Sequence, residues 1–131
     1  MKGYEYIAGD YLLYKGYIVK VLGVYSIRCH DELVANIAIP HSIKNVEKNK
    51  LEGLPLRSSL LLGNGWKKQD FFYFSPYDDA LFAMNEGKMW HIYRGRGEIM
   101  TLQYVHQLQH LLFGLGLGLP EETISISSKN N

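Results

Sequence analysis

Cysteine is almost absent from this chain. Cys29 is the only one in 131 residues. No internal disulfide and no cysteine zinc site can form, which suits a reducing cytoplasm. Long hydrophobic runs are missing too. The most apolar stretch, residues 111–119, is far short of the roughly 20 residues a membrane span needs. Its alternating Gly114, Gly116 and Gly118 also make it a poor helix. The opening MKGYEYIAGDYLLYKG lacks the apolar centre of a signal peptide. The expectation is a cytoplasmic protein with no membrane partner. An excess of one charge is lacking as well. Lys and Arg total 14 against 13 Asp and Glu, so no whole-chain field draws the protein to nucleic acid. Repeats and low-complexity linkers are absent, and the length suits one domain over residues 1–131.

What is present is a dense apolar content, 47% of residues, with 10 tyrosines and little charge. This is the composition of a globular chain with a real core. Residues 10–14 and 17–27 read as two strands joined by Lys15-Gly16, a tight hairpin connection. The second strand is apolar on both faces apart from Lys20, and Gly23 inside it marks a bulge or bend. Residues 33–39 alternate, with Leu33, Ala35, Ile37 and Ile39 on one face. Residues 43–46 form a short strand and 47–50 a charged turn. A short helix is expected over 57–62, ended by Gly63-Asn64-Gly65, with Trp66 folding back onto Leu61 or Leu62. An aromatic strand, 71–75, precedes a hairpin of 81–84 and 88–94. Another turn at Arg94-Gly95-Arg96-Gly97 leads into 98–100.

Residues 101–115 carry the clearest helical period. Val105, Leu108, Leu112 and Leu115, with Tyr104 and Leu111 beside them, fall within an arc of about 120°. Thr101 is the natural N-cap. Residues 123–127 alternate like a closing strand. The expected fold is α+β. An N-terminal, strongly bent antiparallel sheet over 1–50, for which an SH3-like barrel is one form, precedes a second part over 51–131. That part holds a short helix, further antiparallel strands and one long C-terminal helix packed on the sheet.

Three segments, GDYLLYKGYIVKVLGVY, LPLRSSLLLGNGW and YVHQLQHLLFGLG, carry a resemblance. In this order they resemble a family of small uncharacterised proteins encoded in gut-bacterial genomes, their phages and mobile elements. The resemblance implies phage or mobile-element ancestry. This chain departs from the pattern at Arg57, where a Ser or Thr cap is usual, and in the Gly-Leu segment after the last helix.

Candidate chemistry is sparse. His106 and His110 have the i,i+4 spacing of zinc ligands. A metalloprotease needs a glutamate beside the first, and Gln107 stands there instead. A third ligand would have to come from His30, His41, His91 or a distant carboxylate, and no metal is expected. Cys29-His30-Asp31 is not a triad, because neighbours on an extended chain point apart. Gly63-x-Gly65 and Gly95-x-Gly97 are too short for phosphate-binding fingerprints, so no cofactor is expected.

Lys67, Lys68, Lys88, Trp90, Arg94 and Arg96 form the best nucleic-acid candidate, cations for phosphate beside rings for stacking. Glu86 and Glu98 dilute it. Between Glu98 and Glu121 there is no charged residue. The polar stripe Gln103, His106, Gln107 and His110 therefore reads as a homodimer contact, unless later segments cover it. The leading function is a non-enzymatic binding or assembly protein that self-associates. The alternative is a nucleic-acid-associated accessory protein.

Overall fold

The structure, a computed structural model, describes residues 6–26, 33–39 and 42–126. Cys29, His30, Asp31 and His41 lie outside the described residues, as do the first five residues and the end of the 123–127 segment.

Tyr11–Tyr14 (β1) and Tyr17–Ser26 (β2) form the expected hairpin. Lys15 and Gly16 both have positive φ, 51° and 83°. Turns of this hand match the twist of the strands they join. Leu33–Ile39 (β3) and Ser42–Glu47 (β4) follow. A 3-10 turn, Lys48–Lys50, then leads into Leu51–Gly53 (β5). The five strands form one antiparallel sheet in the order β4-β3-β2-β1-β5. Its register shifts between Val21 and Gly23, where a bulge was expected. Leu12, Val19, Val21, Ala35, Ile37, Val46 and Leu51 form its core, with Tyr6 at one end.

Ser58–Gly63 (α1) stops as the sequence implies. Gly65 is left-handed, its N–H bonds Leu62 O at 3.2 Å, and Trp66 N–H bonds Leu61 O at 3.0 Å. This paired closure folds Trp66 back beside Leu61, and both are fully buried in one core. Lys67–Gln69 (β6), Phe72–Phe74 (β7), Leu81–Glu86 (β8), Met89–Arg94 (β9) and Gly97–Leu102 (β10) make a second antiparallel sheet, each strand paired with the next. Val105–Gly114 (α2) and Pro120–Thr123 (α3) complete the chain.

The α+β expectation is corrected here. The protein is mostly antiparallel sheet: among the described residues, ten strands in two sheets and only three short α-helices. There is no long C-terminal helix. Thr101 and Leu102 pair with His91 and Trp90 as the end of β10, so Thr101 is not the cap. Tyr104 holds that position, and Gln107 Oε1 accepts the N–H groups of both Gln103 and Tyr104, at 2.8 and 2.9 Å. The helix ends when Gly116 turns left-handed and Leu117 N–H bonds back to Leu112 O at 3.0 Å. Neither is there an SH3-like barrel. β4 and β5 are opposite edges of the first sheet and do not pair with each other. After three residues β5 gives way to Leu54-Pro55-Leu56, which turns to the second sheet. Nor do residues 123–126, the described part of the expected closing strand, form one: Thr123 ends α3 and Ile124 is buried.

The two sheets are joined through α2. Leu56 N–H bonds Gln103 O at 2.9 Å and Val105 N–H bonds Leu54 O at 2.8 Å. Gly53 has no side chain because the ring of Tyr104 lies there; a Cβ would sit 2.5 Å from it. The helix packs Val105, Leu108 and Leu112 into the second core, together with Trp66, Leu81, Trp90, Ile92, Leu102 and Ile124. Among the described residues, no helix is long and apolar enough to cross a membrane.

Candidate functional site

The second sheet has one face in the core and, among the described residues, one that belongs to neither core. Strand alternation divides them. Tyr73, Leu81, Ala83, Trp90, Ile92 and Leu102 point inward and are buried. Phe72, Phe74, Phe82, Met84 and Tyr93 point outward, are half-buried, and belong to neither core. The register sets them in two rows across the strands. One runs Lys67, Phe74, Phe82, Tyr93, Glu98; the other Gln69, Phe72, Met84, His91, Thr101.

The rings are in contact from strand to strand. Phe82 stacks on Tyr93 with centroids 5.1 Å apart and planes at 11°. It meets Phe74 at 5.4 Å and Phe72 edge-on at 5.3 Å. Aromatic pairs of this kind add roughly 0.5–1.5 kcal/mol beyond burial. Beside this face stands Phe71, 78% exposed at the turn between β6 and β7. At the β10 side, His91 sits between two carboxylates, Nε2 to Glu86 at 3.0 Å and Nδ1 to Glu98 at 2.7 Å. Glu86 and Glu98 hold its imidazole above the ordinary histidine value.

The nucleic-acid residues named from the sequence are not gathered into one surface. Trp90 is 2% exposed and its indole N–H donates to Leu56 O at 2.9 Å, so it offers no stacking face. Arg94 is paired with Asp78 at 3.1 Å. Lys68 lies over the Tyr73 ring at 5.7 Å. Lys67 and Lys68 are on the edge strand β6, and Arg96 is beside the opposite edge strand, about 20 Å away across five strands. Lys88 is in the turn at the other end of β9 from Arg96, also about 20 Å distant.

The polar stripe of α2 is not an outward face, which corrects that reading. His106 is 5% exposed, edge-on to Tyr6 at 5.2 Å and stacked on Tyr104 at 5.8 Å. Burial lowers its pKa to about 4, and the charge of Asp10 opposes this only in part. His110 Nε2 is 2.8 Å from a carboxylate oxygen of the fully buried Asp10. Gln107 caps its own helix, and Gln103 and His110 are half-buried. The imidazoles of His106 and His110 meet edge to face, centroids 5.7 Å apart, instead of converging on one point. Among the described residues, no group of three His, Cys, Asp or Glu is placed to hold a metal ion.

Two features that matter here carry little signal in the sequence. Gln109 is completely buried and makes three bonds, two to Gly9 and Tyr11 at the start of β1 and one to Pro120 of α3. The outward ring row was visible only as an aromatic strand, because pairing across strands decides which rings share a face. No family model, curated protein or solved structure matches this chain.

Proposed function

We propose that this is a non-enzymatic assembly protein of phage or mobile-element ancestry. It acts as a two-fold homodimer joined through the outer face of the second sheet. The carrying observation is the row Lys67, Phe74, Phe82, Tyr93, Glu98, which has opposite charges at its two ends and rings between them. A two-fold axis along the strands would lay this row against its own copy reversed. Each Lys67 would then face the other subunit's Glu98, and the rings would meet in the middle. A two-fold contact must be self-complementary in this way. A contiguous, half-buried apolar face that belongs to neither core is the kind of surface that marks interaction sites.

Base stacking fits the same face less well. A nucleotide base needs an open ring face. Phe82 has a ring against it from both neighbouring strands, and Glu86 and Glu98 flank the surface.

Light scattering coupled to size exclusion tests the reading. The wild type should run as a dimer at micromolar concentration, and Phe82→Asp as a folded monomer. A wild-type monomer at all concentrations near pH 7.5 rules the proposal out.

A further inference from the structure

The far end of the first sheet holds a second feature, independent of the dimer face. The hairpin pair Tyr14 and Tyr17, with Ile39, Lys15 and Lys44, lines an open cleft of about 310 Å³. Tyr14 and Ile39 pack partly against the core of that sheet, so the cleft has an apolar floor. Two ammonium groups converge there. Lys15 Nζ is 5.4 Å and Lys44 Nζ 5.3 Å from the centroid of the same Tyr14 ring. No carboxylate lines the cleft, and neither lysine has an acidic partner among the described residues. Like charges brought to one ring without a counter-ion repel each other unless an anion joins them.

The backbone adds an independent observation. Lys15 stands at φ 51° in the first position of the hairpin turn, where asparagine or aspartate is the ordinary choice and a long side chain is disfavoured. The turn does not call for a lysine. Its position carries the amine over Tyr14. Strained residues of this sort concentrate at binding sites.

We propose that this cleft binds a small organic phosphate monoester with an aromatic or branched apolar carbon part. Two ammonium groups without an acidic partner among the described residues match the double negative charge of a phosphate monoester, and lysine serves phosphate as a point charge. The Tyr14 hydroxyl adds a hydrogen-bonding group, and Lys44 beside it holds that phenol below the ordinary tyrosine value. Tyr17, 68% exposed, and Ile39 supply the apolar wall for the carbon part.

Phenyl phosphate is the probe, with inorganic phosphate and phenol as comparisons, followed by calorimetry or amide chemical shifts. Phenyl phosphate should bind more tightly than either comparison, with shifts centred on residues 14–17, 39 and 44. Lys15→Asn and Lys44→Ala should each weaken it about tenfold, the scale of one charge-assisted contact. Lys15→Asn should at the same time raise the melting temperature, since Asn-Gly suits this turn better. Lost binding in that variant therefore cannot come from a lost fold. No saturable binding up to about 10 mM, equal affinity for inorganic phosphate, or unchanged affinity in the double variant overturns the proposal.

Discussion

The side-chain amide of Gln109 donates to the carbonyl oxygen of Gly9 at 2.9 Å, joining residues a hundred positions apart. The same nitrogen donates to Pro120 O at 2.9 Å, and its oxygen accepts the N–H of Tyr11 at 3.0 Å. One buried side chain thus holds the start of the first sheet, α2 and the start of α3 together. Gln109→Leu keeps the volume and removes all three bonds, leaving buried backbone groups without partners. Each such group costs about 1–3 kcal/mol. The variant should lose roughly 3 kcal/mol or more in urea melts. A loss under about 0.5 kcal/mol would show that water replaces the amide.

This staple explains why α2 was misread from its sequence. A stretch without charge suggested an outward polar stripe awaiting a partner. In the fold, α2 lies between two bodies. Val105, Leu108 and Leu112 face the second core, while His106, Gln109 and His110 face Tyr6, Gly9 and Asp10. Neutral polar groups serve there because full charges are costly to bury. The stretch was also overextended at its start. Thr101 suits an N-cap by residue type, but Thr101 and Leu102 pair with His91 and Trp90 as the end of β10, and the helix starts only after Tyr104. Features set by local chain geometry were legible: the Lys15-Gly16 turn, the Gly23 bulge, and the stop at Gly65 that buries Trp66. The aromatic row was not, since Phe74, Phe82, Tyr93 and Glu98 meet only through the pairing of four strands.

Trp66 is the largest test of the second core. It is 2% exposed, follows the left-handed Gly65, and shares its cluster with Leu61 and Trp90. Trp66→Ala should destabilise the protein by about 3–5 kcal/mol. Its indole N–H finds no partner among the described residues, so Trp66→Phe gives up none of the described hydrogen bonds and should cost distinctly less. Denaturant melts of the two variants should rank in that order; equal losses would contradict it.

His106 predicts a pH dependence of definite sign. Its folded pKa, about 4, lies below the ordinary 6.5 because burial disfavours the charged ring. The unfolded chain therefore binds the extra proton first as pH falls. Stability from this group is complete above pH 6.5 and drains away between 6.5 and about 4. The loss amounts to at most about 3 kcal/mol. His106→Phe, which keeps a ring against Tyr6 and Tyr104, should flatten that part of the stability curve. His91 works in the opposite sense. Its pKa is raised by Glu86 and Glu98, so its contribution is present at low pH and fades as pH rises through the folded value. A His106→Phe curve that still falls as steeply between pH 6.5 and 4 would remove the assignment.

The proposed dimer has a charge test that a general loss of fold cannot imitate. In the reversed pairing of the ring row, Lys67 of one subunit faces Glu98 of the other. Lys67→Glu alone places two carboxylates together at each end of the contact, and Glu98→Lys alone places two ammonium groups there. Both positions are exposed, so either variant should fold. Like charges directly opposed across an interface cost up to several kcal/mol. Each single variant should therefore shift the dimer dissociation constant upward by at least about tenfold at low salt. The double exchange restores opposite charges and should recover most of the affinity. Glu98 also holds His91 within its own subunit at 2.7 Å, so Glu98→Lys carries a small cost that exchange does not repair. Recovery should accordingly be partial, and clearer at 50 mM salt than at 500 mM, where screening hides the pairing. Sedimentation equilibrium on the four proteins gives the comparison. If the double exchange is no tighter than the weaker single variant, the two-fold axis does not run along the strands, and this pairing of the rows is wrong.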